Sequence, residues 1–257
     1  MNDIEPRFKF GHNWLHYSKT INETALASAT DGLKRLLCGR SLAGKRFLDI
    51  GCGSGLHSIA ASRLGAGGID AFDYDMDSVE AARGNFARFD PAAQPTLFRC
   101  DILHHDIQQK FDVVYSWGVL HHTGDMWQAI SNAAQLVEDD GLLVIAIYKK
   151  TRLCGAWTAI KRLYCNSGPS LRFCMAAVFL TPLFLGKILT RQKFTRGMSW
   201  YYDAIDWLGG YPYQSATPDE IVEFVGKAGF AALATVNTGR IYGIFGSNCA
   251  EYIFRKI

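Results

Sequence analysis

Leu48-Asp49-Ile50-Gly51-Cys52-Gly53-Ser54-Gly55 decides how this chain is read. Arg46 to Ile50 is a short apolar run, which predicts a strand. Glycines then turn the chain, and Leu56 to Leu64 predicts a helix with Ile59, Ala60 and Leu64 on one face. Glycine is required where a ligand must lie against main chain, because a Cβ would collide with it. Gly51 and Gly53 are therefore candidate cofactor contacts, with Asp49 and Cys52 beside them.

Working outward, Ile69–Phe72, Thr96–Cys100, Phe111–Ser116 and Leu142–Tyr148 read as further strands. Ser78–Arg88, capped by Asp77 or Ser78, and Trp127–Val137 read as helices between them. A helix precedes the first strand, over residues 20–40. Thr217 caps another at Pro218–Ala228, and strands follow at Ala231–Asn237 and Cys249–Arg255. Strands alternating with helices predict an α/β fold with a parallel sheet.

Carboxylates recur at the strand ends. Asp73, beside Tyr74, follows the second strand and can accept both hydroxyls of a ribose. Asp101, beside Ile102, follows the third and can accept from an adenine amino group. Ser116 and Trp117 close the fourth strand and join the candidate cofactor-binding set. Open α/β sheets bind ligands along this edge. A dinucleotide fingerprint would need glycine at position 56, where this chain has Leu56. The Gly-Lys-Ser/Thr ending of a P-loop is also missing.

These segments resemble class I S-adenosylmethionine-dependent methyltransferases. Residues 48–55 look like that family's first motif, and Phe72-Asp73 and Cys100-Asp101 match its second and third sites. Phe111-Asp112-Val113-Val114-Tyr115-Ser116 matches its fourth strand. Val119-Leu120-His121-His122 is similar to the turn after it in the small-molecule group that includes ubiquinone-biosynthesis methyltransferases. The resemblance implies a Rossmann-like sheet of seven mostly parallel strands with an antiparallel last strand and helices on both faces. It implies S-adenosylmethionine as cofactor and S-adenosylhomocysteine as product. The expected organisation is one domain over 1–257. It divides into an N-terminal lid and helix (1–44), a cofactor core (45–148), a helical insertion (149–216), and a last helix with two strands (217–257).

The resemblance is specific for the cofactor and says little about the acceptor. Methyl transfer from a sulfonium is an in-line displacement, so positioning carries much of the catalysis. A hydroxyl acceptor must also lose a proton, and histidine suits that task. His122 and His121 are the candidate catalytic residues, His122 favoured as base. No third ligand of suitable spacing joins them and Asp125, so no metal is expected. Amino-methylating nucleic-acid enzymes of the superfamily carry an Asn/Asp-Pro-Pro-Tyr/Phe turn where this chain has Ser116-Trp117-Gly118, so DNA is not an expected acceptor. Two aromatic segments flank the core, and Phe10, Trp14, Arg196, Trp200, Tyr201 and Tyr211 join His122 as candidate acceptor contacts. The leading reading is O-methylation of a small-molecule or glycan-type metabolite. N- or C-methylation, or a non-catalytic cofactor-binding subunit, are the alternatives.

Charge is unevenly placed. Gly141 to Tyr202 holds no acid and ten of the chain's 27 basic residues, leaving 17 against 24 acidic ones elsewhere. The apolar run Phe173–Gly186, broken by Pro182, lies within it and is too short to span a bilayer. Three roles are open to this insertion: contact of 149–196 with anionic membrane, binding of an anionic substrate, or a cap packed on the enzyme or on a second copy as a homodimer. Seven cysteines without a C-x-x-C pair, and a polar N-terminus, predict a cytoplasmic protein with reduced thiols.

Overall fold

A computed structural model describes residues 8, 10–190, 200–237 and 248–257, and their side chains except at 12, 16, 183–190 and 200–203. The chain opens with α1 (Phe10–Ser18) and α2 (Glu23–Leu36). An alternating core follows: β1 (Arg46–Ile50), α3 (Leu56–Arg63), β2 (Gly68–Asp73), α4 (Met76–Phe89), β3 (Thr96–Arg99) and β4 (Phe111–Trp117). A 3-10 turn (Leu120–His122), α5 (Met126–Gln135) and β5 (Val137–Tyr148) complete it. Then come α6 (Cys154–Asn166), α7 (Pro169–Thr190), α8 (Trp200–Gly209), α9 (Pro218–Lys227), β6 (Phe230–Asn237) and β7 (Cys249–Lys256).

The strands form one seven-stranded sheet in the order β3-β2-β1-β4-β5-β7-β6. The first five run parallel, and β7 lies antiparallel to both β5 and β6. Successive side chains of a strand point to opposite faces. In β5, Leu143, Ile145 and Ile147 therefore enter the core that holds α5 and α9, while Leu142 and Val144 enter the one that holds α2 and α3. A sheet covered on both faces needs apolar residues at every position, which is why this strand is so apolar.

Local signals fix most helix ends. Asn22 caps α2 by accepting from the Ala25 N–H. Thr217 and Glu220 form a reciprocal capping box on α9, and Pro218 occupies the first turn. Two expectations are corrected. Helix α4 is capped by Asp75, whose extended backbone and carboxylate serve the Asp77 N–H, so the helix starts earlier than Asp77 or Ser78 would place it. Strand β5 begins at Val137, because Phe111 pairs with Val137 before a register shift; Asp140 stands there at φ 63°. The N-terminal aromatic segment, expected as a lid, is helical as α1. Among the described residues no helix is long and apolar enough to cross a membrane.

Candidate active site

The carboxyl ends of β1, β2 and β3 lie side by side, because these strands pair in parallel. The Gly51 and Cys52 N–H groups donate to the Phe72 carbonyl across 2.8 and 3.0 Å. Gly53 donates to Asp73 Oδ2 across 3.0 Å, and Asp75 donates to Asp73 Oδ1 across 3.0 Å. Each Asp73 oxygen keeps a further lone pair, so this carboxylate can still accept hydroxyl donors. Burial pushes its pKa up to about 6. Asp49 is buried behind the turn, accepts the Ser58 hydroxyl at 2.5 Å, and is pushed up to about 7 by burial. It braces the turn from below.

Positive φ and close approach explain the glycines. Gly51 has φ 74°, and a Cβ there would lie 2.4 Å from the Val119 side chain. Gly53 has φ 54°, and a Cβ there would lie 2.9 Å from the Trp14 indole. The turn is thus covered by Trp14 from α1 and flanked by Val119, which leads into the 3-10 turn bearing both histidines.

Other candidates at this edge have different side-chain roles. Cys52 sits in a small buried cluster with Ala71 and Ala82. Tyr74 is half exposed, and Arg99 donates to its carbonyl across 3.0 Å. Asp101 turns back to accept the Leu103 N–H across 3.0 Å, and Ile102 is buried in the α5 core. The Ser116 hydroxyl donates to the Ile50 carbonyl across 3.0 Å, stitching β4 to β1. Trp117 donates to Glu251 of β7 across 2.8 Å. The side-chain donors of Ser116 and Trp117 are thus used within the sheet, and Ile102 packs in the core.

On the other side of Gly51 stands a cluster of aromatic rings, called the chamber below. His122 Nδ1 lies 2.7 Å from the Pro212 carbonyl oxygen. That oxygen can only accept, so Nδ1 carries the proton and Nε2 holds a lone pair. The His122 ring is 5.3 Å from Phe10 and 5.4 Å from Tyr148. Burial, with the nearby Lys161 charge, lowers its pKa to about 3. His121 is wholly buried 4.0 Å from the Tyr148 ring, and among the described residues neither of its ring nitrogens has a partner. The Tyr211 carbonyl accepts the Phe8 N–H across 3.0 Å, which ties the N-terminal segment to this wall. Asn13 of α1 donates to Asp206 of α8 across 2.6 Å, and the Gly11 N–H to Asp75 across 3.1 Å. Helix α1 therefore bridges the cofactor edge and the chamber. Arg196 lies outside the described residues, as do the side chains of Trp200 and Tyr201.

The methyltransferase domain family matches residues 48–143. This stretch is similar to that family. A ubiquinone biosynthesis O-methyltransferase from Rhodopseudomonas palustris is 32% identical over 127 residues, covering 49% of this chain and 47% of the relative. The mitochondrial counterpart from Bos taurus is 28% identical over 171 residues, covering 59% and 44%. The chain thus spans under half the length of the curated relatives it matches. Magnesium protoporphyrin IX methyltransferase from Synechocystis, solved with bound SAH, superposes with TM-score 0.56 at 21% identity, covering 93% of this chain and 86% of that one. N-methyltransferase NodS from Bradyrhizobium japonicum, in complex with S-adenosyl-L-homocysteine, gives 0.55 at 15%, covering 91% and 88%. These likenesses show the fold.

The methyltransferase domain match ends at 143, so the chamber's cap lies beyond it. Sequence reasoning missed Tyr148 and Lys161 there, and held Tyr213 only as part of the second flanking aromatic segment. Tyr148 and Tyr213 stand 5.4 Å apart, between the histidines and the cap. Lys161 of α6 is completely buried, and its ammonium donates to the Trp207 carbonyl. Burial lowers its pKa from 10.5 to about 7. The missed signal was helical spacing: Trp157, Lys161, Tyr164 and Cys165 share one face, with a lysine in an apolar stripe. Trp207 stacks on Phe179 at 5.1 Å and meets Trp157 at 4.6 Å.

Proposed function

We propose that the protein transfers a methyl group from S-adenosylmethionine to an oxygen of a small-molecule acceptor. One observation carries this reading. His122, its tautomer fixed by Pro212, holds a bare Nε2 in an aromatic chamber that adjoins the glycine turn through Val119 and Gly51.

S-adenosylmethionine, when bound, supplies an activated methyl on a sulfonium. Gly51, Gly53 and Asp73 would hold it: the turn allows main-chain approach, and Asp73 keeps lone pairs for ribose hydroxyls. His122 Nε2 takes the acceptor's hydroxyl proton. Phe10, Trp14 and α1 exclude water from the turn and the chamber, which strengthens every polar contact inside. N- or C-methylation on the same frame would not need this base.

The test is calorimetric titration with S-adenosylhomocysteine, NAD serving as control, followed by mass-spectrometric detection of methylated product across hydroxylated, amino and activated-carbon acceptors. Binding of S-adenosylhomocysteine alone and product from hydroxylated acceptors support the proposal. Binding of NAD, or product only from amines or carbons, overturns it.

A second reading concerns the insertion. Phe173 and Val178 of α7 are 75% and 76% exposed in the stretch that contains no acid. We propose that this face rests on anionic lipid, in a cytoplasmic setting consistent with cysteines that form no disulfide among the described residues. Flotation with anionic vesicles at low salt tests it. Protein left at the bottom sinks the idea, and a dimer mass by light scattering then assigns the face to a second copy.

A further inference from the structure

Lys161 is a buried cation with no carboxylate partner among the described residues. Lysine is almost never fully buried unless paired. An unpaired ammonium costs several kcal/mol to take out of water, yet among the described residues no carboxylate stands within ion-pair reach of it. One of its three N–H groups serves the Trp207 carbonyl. Around it stand two ring faces, with the Trp207 centroid at 3.9 Å and the Tyr213 centroid at 5.0 Å, and the Cys165 thiol, whose charge would favour the ammonium.

The position of this ammonium matters more than its burial. Tyr213 stands 5.4 Å from Tyr148, and Tyr148 lies 4.0 Å from His121 and 5.4 Å from His122. Lys161 therefore faces the wall that holds both histidines, close enough for its charge to weigh on each of them. His121 adds an independent sign. Its ring is wholly buried and both nitrogens are without a partner among the described residues, although such groups in folded proteins are almost always bonded. Among the described residues, the Lys161 ammonium thus keeps N–H groups beyond the one given to Trp207, and the His121 ring has no partner, behind one aromatic wall.

We propose that Lys161 and His121 bind an anionic oxygen of the methyl acceptor, so that the enzyme selects acceptors carrying an ionised carboxylate or phenolate. The ammonium gives a charge-assisted hydrogen bond, and the His121 N–H gives a second donor. Tyr148 and Tyr213 supply the apolar walls. A bound anion also offsets the Lys161 charge, which is the lesser cause, after burial, of the lowered His122 pKa. This inference rests on the reading of the chamber as the acceptor site.

The experiment compares two probes of the same shape on the full chain saturated with S-adenosylhomocysteine: 4-hydroxyphenylacetate and its neutral amide, 4-hydroxyphenylacetamide. The unmodified protein is expected to prefer the acid by about tenfold to a hundredfold. Equal affinities, or binding of neither probe, overturn the proposal without any variant being made. Lys161→Met removes the charge and keeps the length. It is expected to erase the preference while S-adenosylhomocysteine affinity stays within about twofold, since the glycine turn is untouched. Lys161→Arg keeps the charge and is expected to retain a preference for the acid. A preference that survives in Lys161→Met reduces Lys161 to a tie between α6 and α8. Failure of the unmodified protein to bind S-adenosylhomocysteine would instead remove the methyltransferase reading itself, so the two failures are distinct.

Discussion

His122 donates its Nδ1 proton to the carbonyl of Pro212 across 2.7 Å, a contact between residues 90 apart in sequence. The bond selects one tautomer and aims the other nitrogen at the space in front of Gly210, where a Cβ would come within 3.2 Å of Nε2. With its pKa lowered to about 3, the ring is neutral throughout the physiological range. Replacing His122 by Ala is expected to slow O-methyl transfer by roughly a hundredfold to ten-thousandfold, with S-adenosylhomocysteine affinity nearly unchanged. Steady-state rates beside calorimetric titrations check this. A full rate in the variant assigns the proton to another group.

Cofactor affinity should depend on pH through Asp73. Burial raises its pKa to about 6, so it is ionised above that value and protonated below it. Ribose hydroxyls donate to the ionised form. Affinity for S-adenosylhomocysteine is therefore expected to hold from pH 8 to 6.5 and fall by up to about tenfold per unit below 6. Asp73→Asn should bind weakly and show no such slope between pH 5 and 8. A wild-type curve that stays flat across this range removes Asp73 from the site.

Gly53→Ala tests the turn. At φ 54° an alanine pays about 1–2 kcal/mol in backbone strain, and its Cβ would press on the Trp14 indole at 2.9 Å. The variant should melt several degrees lower and lose about tenfold or more in S-adenosylhomocysteine affinity. Gly84→Ala in α4 is the control. Nothing lies within 4 Å of its Cβ, so it should be neutral or stabilising by roughly 0.5–1 kcal/mol.

Lys161 should make the fold less stable at neutral pH than it would be with an apolar residue in its place. Burial lowers its pKa from 10.5 to about 7, so the folded protein holds that proton less tightly than the unfolded chain does. Below about pH 7 the ammonium is charged in both states and the burial cost is present in full. Between about 7 and 10.5 the folded protein sheds the proton first and the cost fades. Lys161→Met is therefore expected to be more stable than wild type by an amount on the order of a few kcal/mol at pH 6, with the gain shrinking towards pH 10. Urea unfolding at both pH values measures it, and a gain independent of pH contradicts the burial of a charge.

The cofactor edge was legible from sequence because it is built locally. Each βα junction spans a few residues, and a parallel sheet repeats the same junction along one edge. Strand, glycine turn and helix at 46–63, and the acids after β2 and β3, needed no distant partner to be placed. The Thr217 cap was legible for the same reason, while its reciprocal box with Glu220 was found in the structure. The start of β5 was not, since it depends on Phe111 finding Val137 across a register shift. Ser116 and Trp117 likewise sat at the right strand end, but Ile50 and Glu251 decided where their side chains point.

Sequence alone therefore determined the sheet, the glycine turn and the carboxylates of this protein. Tertiary structure decided the chemistry of the chamber. Which nitrogen of His122 carries a proton depends on Pro212, and whether Lys161 is a solvated surface charge or a buried one depends on Trp207 and Tyr213. Protonation and tautomer are set by burial and by partners brought together from opposite ends of the insertion, and a linear pattern of residue types does not encode that proximity.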